Sequence, residues 1–222
     1  MTHPVSEGEA GAAQPRAESF VDWFHVNSRI VYIGGIVVAA IAFGVWFVQR
    51  TAMNETVSAD KQLMTAKSSL NSRNLPLAES DLQKLVDKYA KRPAGVEAGL
   101  LLGQLKLEKG DVQGAVTELE GLSTKAPSGA SASSVFGLLG DAKSQLNKPA
   151  DAAEDYEKAA AQAEGPNEKA YWQSKAARAY LDGGKAAEAR KLYESLASQH
   201  ENDAVATEAR VRLGEMVVAS KP

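Results

Sequence analysis

A spacing constrains this chain more than any local motif does. Ala78, Ala115, Ala152 and Ala189 lie 37 residues apart. Four positions after them stand Leu82, Leu119, Tyr156 and Tyr193, and three further on Leu85, Leu122, Ala159 and Leu196. Twelve positions before the alanines runs a second small-residue column, Ala66, Gly103, Gly140 and Ala177, which returns at Gly214. Self-similarity at one period over four or five copies is the signature of a repeat architecture.

The spacing inside one copy names the unit. A small residue falls midway along one helix and an alanine early in the next, with turn signals between them at Lys109-Gly110-Asp111, Asn147-Lys148-Pro149 and Asp182-Gly183-Gly184-Lys185. Two small residues let antiparallel helices approach closely, and the large residue at +4 fills the groove beside the crossing. One such hairpin cannot bury its apolar stripe, so copies must stack. The expectation is an all-α chain: four helical hairpins in a right-handed solenoid, the first degenerate, closed by a capping helix from about Asp203 to Ala219.

These residues resemble the tetratricopeptide repeat. Phe136, Leu139, Gly140, Ala152, Tyr156 and Ala159 stand at that family's aromatic, Leu, Gly, Ala, aromatic and Ala positions. Leu102, Gly103, Ala115, Leu119 and Pro127 match in the preceding copy, and Ala177, Tyr180, Gly184, Ala189 and Tyr193 in the following one. The departures are a period of 37 where the family has 34, and a poorly matching first copy from Ala66 to Leu85.

Ahead of the repeats, Ile30 to Val48 carries no charge over 19 residues and is closed by Arg29 and by Gln49-Arg50. At about 1.5 Å per residue it reaches the roughly 30 Å of a hydrocarbon core. Tyr32, Trp46 and Phe47 sit near its ends, where aromatic rings favour the headgroup zone. It reads as a retained transmembrane helix, since a signal-peptide core is shorter and no small-x-small cleavage site follows. Gly35 with Ala39, and Ala40 with Gly44, give it small-xxx-small surfaces for close helix packing. Four segments follow: a polar tail over 1–28, the span over 29–49, a linker or helix extension over 50–58, and the repeat domain over 59–222. Within the tail, residues 1–17 have a composition that does not fold alone. Phe20, Trp23 and Phe24 fall on one helical face just before the span, suited either to the headgroup layer or to a partner protein. Flanking charge is nearly balanced, with Arg16 and Arg29 before the span and Arg50, Lys61 and Lys67 after it, and does not fix orientation.

Composition excludes several functions. Residues 1–49 hold two basic against four acidic groups, and the remainder 23 against 24, so no part is a cationic surface for nucleic acid. The chain has no cysteine, and His3, His25 and His200 lie far apart. No nucleotide-binding, zinc-protease or nucleophile-elbow pattern occurs. No enzyme activity, cofactor, metal or small-molecule substrate is expected. Glu154-Asp155 with Lys158 reads as an exposed charged helix face.

The family's concave groove is lined by the first helix of each hairpin. Carried over position by position, the resemblance places Glu97, Leu101, Gln104, Ser134, Leu138, Asp141, Tyr171, Lys175 and Arg178 there. A carboxylate clamp of Lys, Asn and Arg is approached only in the last copy, so capture of a free C-terminus is not expected. Lys175 and Arg178 beside Tyr171 form the best patch for an acidic segment, against the plainer reading that they are solvated. Partner-binding candidates are therefore Phe20, Trp23, Phe24, Gly35, Ala39, Gln104, Asp141, Tyr171, Lys175 and Arg178.

The whole layout, a short tail, one span and about 170 residues of repeats, resembles the YfgM-like family of bacterial ancillary translocon subunits. That resemblance implies a cytoplasmic N-terminus, a periplasmic repeat domain at the inner membrane, and chaperone-like work beside the Sec translocon with client and chaperone proteins. The competing expectation is a permanent structural subunit of a large membrane complex, photosynthetic or respiratory. Its tail, span and repeat face would be buried against neighbours and membrane lipid.

Overall fold

The computed structural model describes residues 28–126, 128–199 and 204–219. The expectations for the tail, for Phe20, Trp23 and Phe24, for the three histidines and for Pro127 lie outside the described residues. All regular structure within them is helical: α1 Ser28–Asn71, α2 Leu75–Tyr89, α3 Pro93–Glu108, α4 Val112–Ser123, α5 Ala130–Gln145, α6 Pro149–Gln162, α7 Pro166–Asp182, α8 Ala186–Gln199 and α9 Ala204–Ala219. The chain divides into two compact units at Asn54 and Glu55.

In the first unit, α1 is long and apolar enough to cross a membrane. Tyr32, Ile36, Val38, Phe43 and Val48 are all exposed. Gly35 and Ala39 are exposed too, and a Cβ added at Gly34, Gly35 or Gly44 would touch nothing. The apolar run ends without an orphaned hydroxyl: Thr51 Oγ1 donates to the carbonyls of Phe47 and Val48 at 3.0 Å each. Over 50–58, read as a linker or a helix extension, α1 continues as helix, because these residues contain neither Gly nor Pro to stop it.

The second unit is the stack. Four hairpins pair the last turns of α1 with α2, α3 with α4, α5 with α6 and α7 with α8, and α9 adds a ninth helix. Proline in the first turn starts α2, α3, α6 and α7, where its missing N–H costs nothing. Asp111 caps α4, its Oδ1 accepting the Gly114 N–H at 3.0 Å.

Each hairpin turns the same way. Residues 73, 110, 147 and 184 all take positive φ (57°, 80°, 57° and 74°), at the 37-residue period. The bonds at each turn also match: Arg73 N–H to Leu70 O with Asn74 N–H to Ser69 O, then Gly110 to Leu107 with Asp111 to Lys106. Asn147 to Ser144 with Lys148 to Lys143, and Gly184 to Leu181 with Lys185 to Tyr180, complete the series. This closure satisfies the last carbonyls of each first helix.

The repeating columns are the core. Ala78, Ala115, Ala152 and Ala189 are fully buried, and Leu82, Leu119, Tyr156 and Tyr193 are at most 4% exposed. Burying each leucine of this set contributes about 2 kcal/mol. A Cβ on Gly103 would stand 3.0 Å from Leu119 and one on Gly140 2.6 Å from Tyr156, so the glycines are the close-approach points of the hairpins. Asp155 is not on an exposed charged face. It is 1% exposed, and Lys143 at 2.6 Å and Lys158 at 2.7 Å both bond it. Glu154 and Lys158 stay exposed, Glu154 3.6 Å from Lys185.

Candidate functional site

The third and fourth hairpins bring together three of the expected residues: Asp141 on α5, with Tyr171 and Lys175 on α7. Lys175 forms an ion pair with Asp141. The phenol of Tyr156, on α6, donates to Asp141 Oδ1 at 2.5 Å. Burial and this bond to a carboxylate push the Tyr156 hydroxyl far above its ordinary pKa, so it is a permanent donor.

Three rings surround the ammonium group of Lys175, with centroids 4.8 Å (Tyr156), 5.4 Å (Trp172) and 5.6 Å (Tyr171) away. Trp172 stacks on Tyr156 at 6.1 Å with planes 13° apart, and Tyr171 meets Trp172 edge-on at 4.7 Å. Beneath the box, buried Ser133 donates its hydroxyl to Glu168 Oε1 at 2.7 Å, and the Trp172 indole N–H reaches the same oxygen at 3.4 Å. The Ser133 bond, ahead of the indole, holds the Glu168 carboxyl below its ordinary pKa.

Lys175 is therefore not a solvated cation waiting for an acidic ligand. Its charge is met by Asp141 and spread over three π-faces, an arrangement that favours retention where water is partly excluded. What faces solvent is Tyr171, 51% exposed, and Arg178, whose guanidinium lies 3.8 Å from Glu208. Between α7 and α9 these residues line a cavity of about 260 Å³ together with Asp182 and Val205.

Gln104 lies elsewhere. It lines a second cavity, of about 340 Å³, with Leu70, Arg73, Leu101, Leu105 and Glu108. Lys67 pairs with Glu97 across the first two hairpins, the counterpart three periods earlier of Arg178 with Glu208. At both ends of the row the charges are thus answered within the chain, while the positions between them carry Leu101, Gln104, Ser134 and Leu138. Gly35 and Ala39 belong to the apolar unit, on α1.

Tyr156, Trp172, Ser133 and Glu168 were missed by the groove columns. A usable signal was Gly137: where the first two copies have Leu63 and Leu100 the third has glycine, and Trp172 fills the space. Among the described residues no cluster of His, Asp or Glu has the make-up of a metal site.

Comparison with known proteins agrees with the hairpin geometry. Residues 22–135 and, overlapping them, 62–176 match the model of the tetratricopeptide repeat-like domain, and residues 173–203 match that of the tetratricopeptide repeat. No curated protein matches the chain. A tetratricopeptide repeat protein from Parabacteroides merdae is similar in structure, with a TM-score of 0.58 at 14% identity, over 73% of this chain and 61% of that one. This chain thus spans less than two thirds of that protein's length. Nearly identical tetratricopeptide-like repeats of a Podosopora anserina protein described as a kinesin light chain give 0.55 at 22% identity, over 72% and 85%. Identities of this order speak for the fold alone. With the family model covering more than half of the sequence, and the alanine column and the Leu/Tyr column four positions on buried in all four hairpins, the chain belongs to the tetratricopeptide repeat-like domain family.

Proposed function

We propose that this protein is a membrane-anchored adaptor that binds other proteins through its repeat stack, and that it serves as a chaperone-like accessory of a translocon in a bacterial inner membrane. The observation that carries the reading is α1: an uncharged run from Ile30 to Val48 whose described apolar side chains have no cover, in the same chain as a stack built for protein contacts. Seventeen consecutive uncharged residues, Tyr32 to Val48, are exposed, a run tolerable in lipid and not in water. The repeat unit offers binding surface without reaction chemistry. One cavity is lined by Leu70, Leu75, Leu101 and Leu105 with Gln104, the other by Tyr171 with Lys175 and Arg178. Such a surface suits weak, exchangeable contacts with extended clients better than capture of one charged ligand. The layout's resemblance to the YfgM-like subunits supports a cytoplasmic N-terminus and a periplasmic repeat domain.

A second reading has its own support. Gly35 and Ala39 leave one side of the apolar helix without bulk, which favours lateral packing against another span and a permanent place in a large membrane complex. Purification of the tagged protein from its own membranes in mild detergent, with each co-purifying chain identified and its ratio measured, separates the two. Substoichiometric translocon and chaperone components are expected. A fixed ratio to one cofactor- or pigment-bearing complex would overturn the first reading in favour of the second.

A further inference from the structure

The balance of charge over the repeat domain hides a local imbalance. The stretch that ends α2 and leads into α3, Lys84 to Arg92, carries Lys84, Lys88, Lys91 and Arg92 against Asp87. One period on, residues 121–129 hold a single charge, Lys125. Two periods on, 158–166 set Lys158 against Glu164, and three periods on, 195–203 hold Glu201 and Asp203 with no lysine or arginine. The net charge of this stretch therefore steps from +3 through +1 and 0 to −2 along the four copies. The cationic copy is the one whose first helix is α1.

The chain itself keeps that patch close to the apolar run. Arg92 forms an ion pair with Glu55 and donates to Thr56 Oγ1 at 2.9 Å, which puts the patch at the first residues of the repeat unit. Only seven residue steps part Glu55 from Val48, the last residue of the uncharged run, and a chain of that length reaches at most about 25 Å whatever its course. Two of the four cations are answered internally, Arg92 by Glu55 and Lys84 by Asp81 at 3.1 Å. Lys88 and Lys91 are exposed and take part in no ion pair among the described residues; Lys88 leans on the Tyr89 ring, 5.1 Å from its centroid. They differ in this from Lys175, whose charge Asp141 meets.

We propose that Lys88 and Lys91, with Lys84 and Arg92 beside them, dock the repeat unit on the anionic phospholipid headgroups of the bilayer that α1 enters. Basic side chains are drawn to such a surface over roughly a Debye length, about 10 Å at 0.1 M salt, and several together add. The attraction is strongest at the first copy and falls away along the stack, as the charge does. This inference rests on the reading of α1 as a membrane helix.

The chain has no cysteine, so Asp87→Cys puts a single fluorophore among the lysines of the full-length protein. The labelled protein is reconstituted into phosphatidylcholine vesicles with or without about one-third phosphatidylglycerol, both containing a spin-labelled headgroup lipid as quencher. Quenching is expected in the anionic vesicles alone and should vanish at about 1 M salt, where the Debye length is about 3 Å. Lys88→Glu plus Lys91→Glu should lower the ratio of docked to undocked chain about tenfold or more. Both lysines are exposed, so thermal unfolding of the pair variant stays unchanged, which separates lost docking from lost folding. Flotation in alkaline carbonate distinguishes the two readings. Chain stripped from the vesicles would overturn the membrane anchor, and the docking with it. Chain retained, but quenched to the same degree in both lipids or indifferent to the charge reversal, would overturn the docking alone.

Discussion

The indole of Trp172 lies across Gly137 so closely that a Cβ there would stand 2.2 Å from the ring. α5 and α7 meet through this contact, and the same indole stacks on Tyr156 and donates to Glu168. Gly137→Ala must push the ring out of both arrangements. We expect a loss of about 1–3 kcal/mol, the usual cost of overpacking, in urea denaturation. A variant as stable as the parent, with its Trp172 indole resonance unmoved, would show that the contact yields freely.

Asp155 carries a heavier duty. It is buried with Lys143 and Lys158 on its two oxygens, and Lys143 is itself only 18% exposed at its side chain. Burial pulls the Lys143 pKa down, but the Asp155 bond and charge, with Glu120, raise it on balance. Asp155→Ala leaves that half-buried ammonium only the more exposed Glu120 at 3.4 Å and should cost about 2–3 kcal/mol. Adding Lys143→Met should restore most of the loss, and a double-mutant cycle measures the coupling.

Glu168 gives a pH signature. Its folded pKa lies below the unfolded one, so it contributes stability above the ordinary glutamate value, and the contribution drains away as pH falls through the depressed value. Ser133→Ala removes the leading cause. The stability difference between parent and variant should be constant at neutral pH and shrink in this acidic window, and carboxyl NMR titration should find Glu168 moved upward.

Arg73 holds left-handed backbone with a Cβ, at φ 57°. Glycine avoids that penalty, although it also loosens the unfolded chain, so Arg73→Gly should stabilise by about 0.5–1 kcal/mol net. The thermal midpoint should rise. Asp111→Ala, which deletes the α4 cap, should move it the other way by about 1 kcal/mol.

Tyr171 tests the groove. It is half exposed and rests edge-on against Trp172, so Tyr171→Ala should cost little stability yet reduce recovery of the co-purifying chains. Unchanged recovery at unchanged stability would move the binding surface away from α7.

The hairpins were legible because close approach needs small residues, and Ala66, Gly103, Gly140 and Ala177 mark it at one interval. The meeting of Lys175 with Asp141 was legible in part, since both fall in groove columns. Their pairing was not, because 34 residues separate them and only the stacking of α7 on α5 brings the charges together. Asp155 misled for a related reason. Lys158 three positions on looks like a solvated helix pair, whereas Lys143, 12 residues earlier and on another helix, makes it an interior one. Local spacing reports a helix face; it does not report which neighbour covers it.

The four left-handed turns are occupied by arginine, glycine, asparagine and glycine, yet each closes with the same two hydrogen bonds. What is copied from unit to unit is a handedness rather than a residue, and the letters at that place can differ as long as the sign is kept. Kinship among such units scored by dihedral sign would align all four; scored by identity it would align only two.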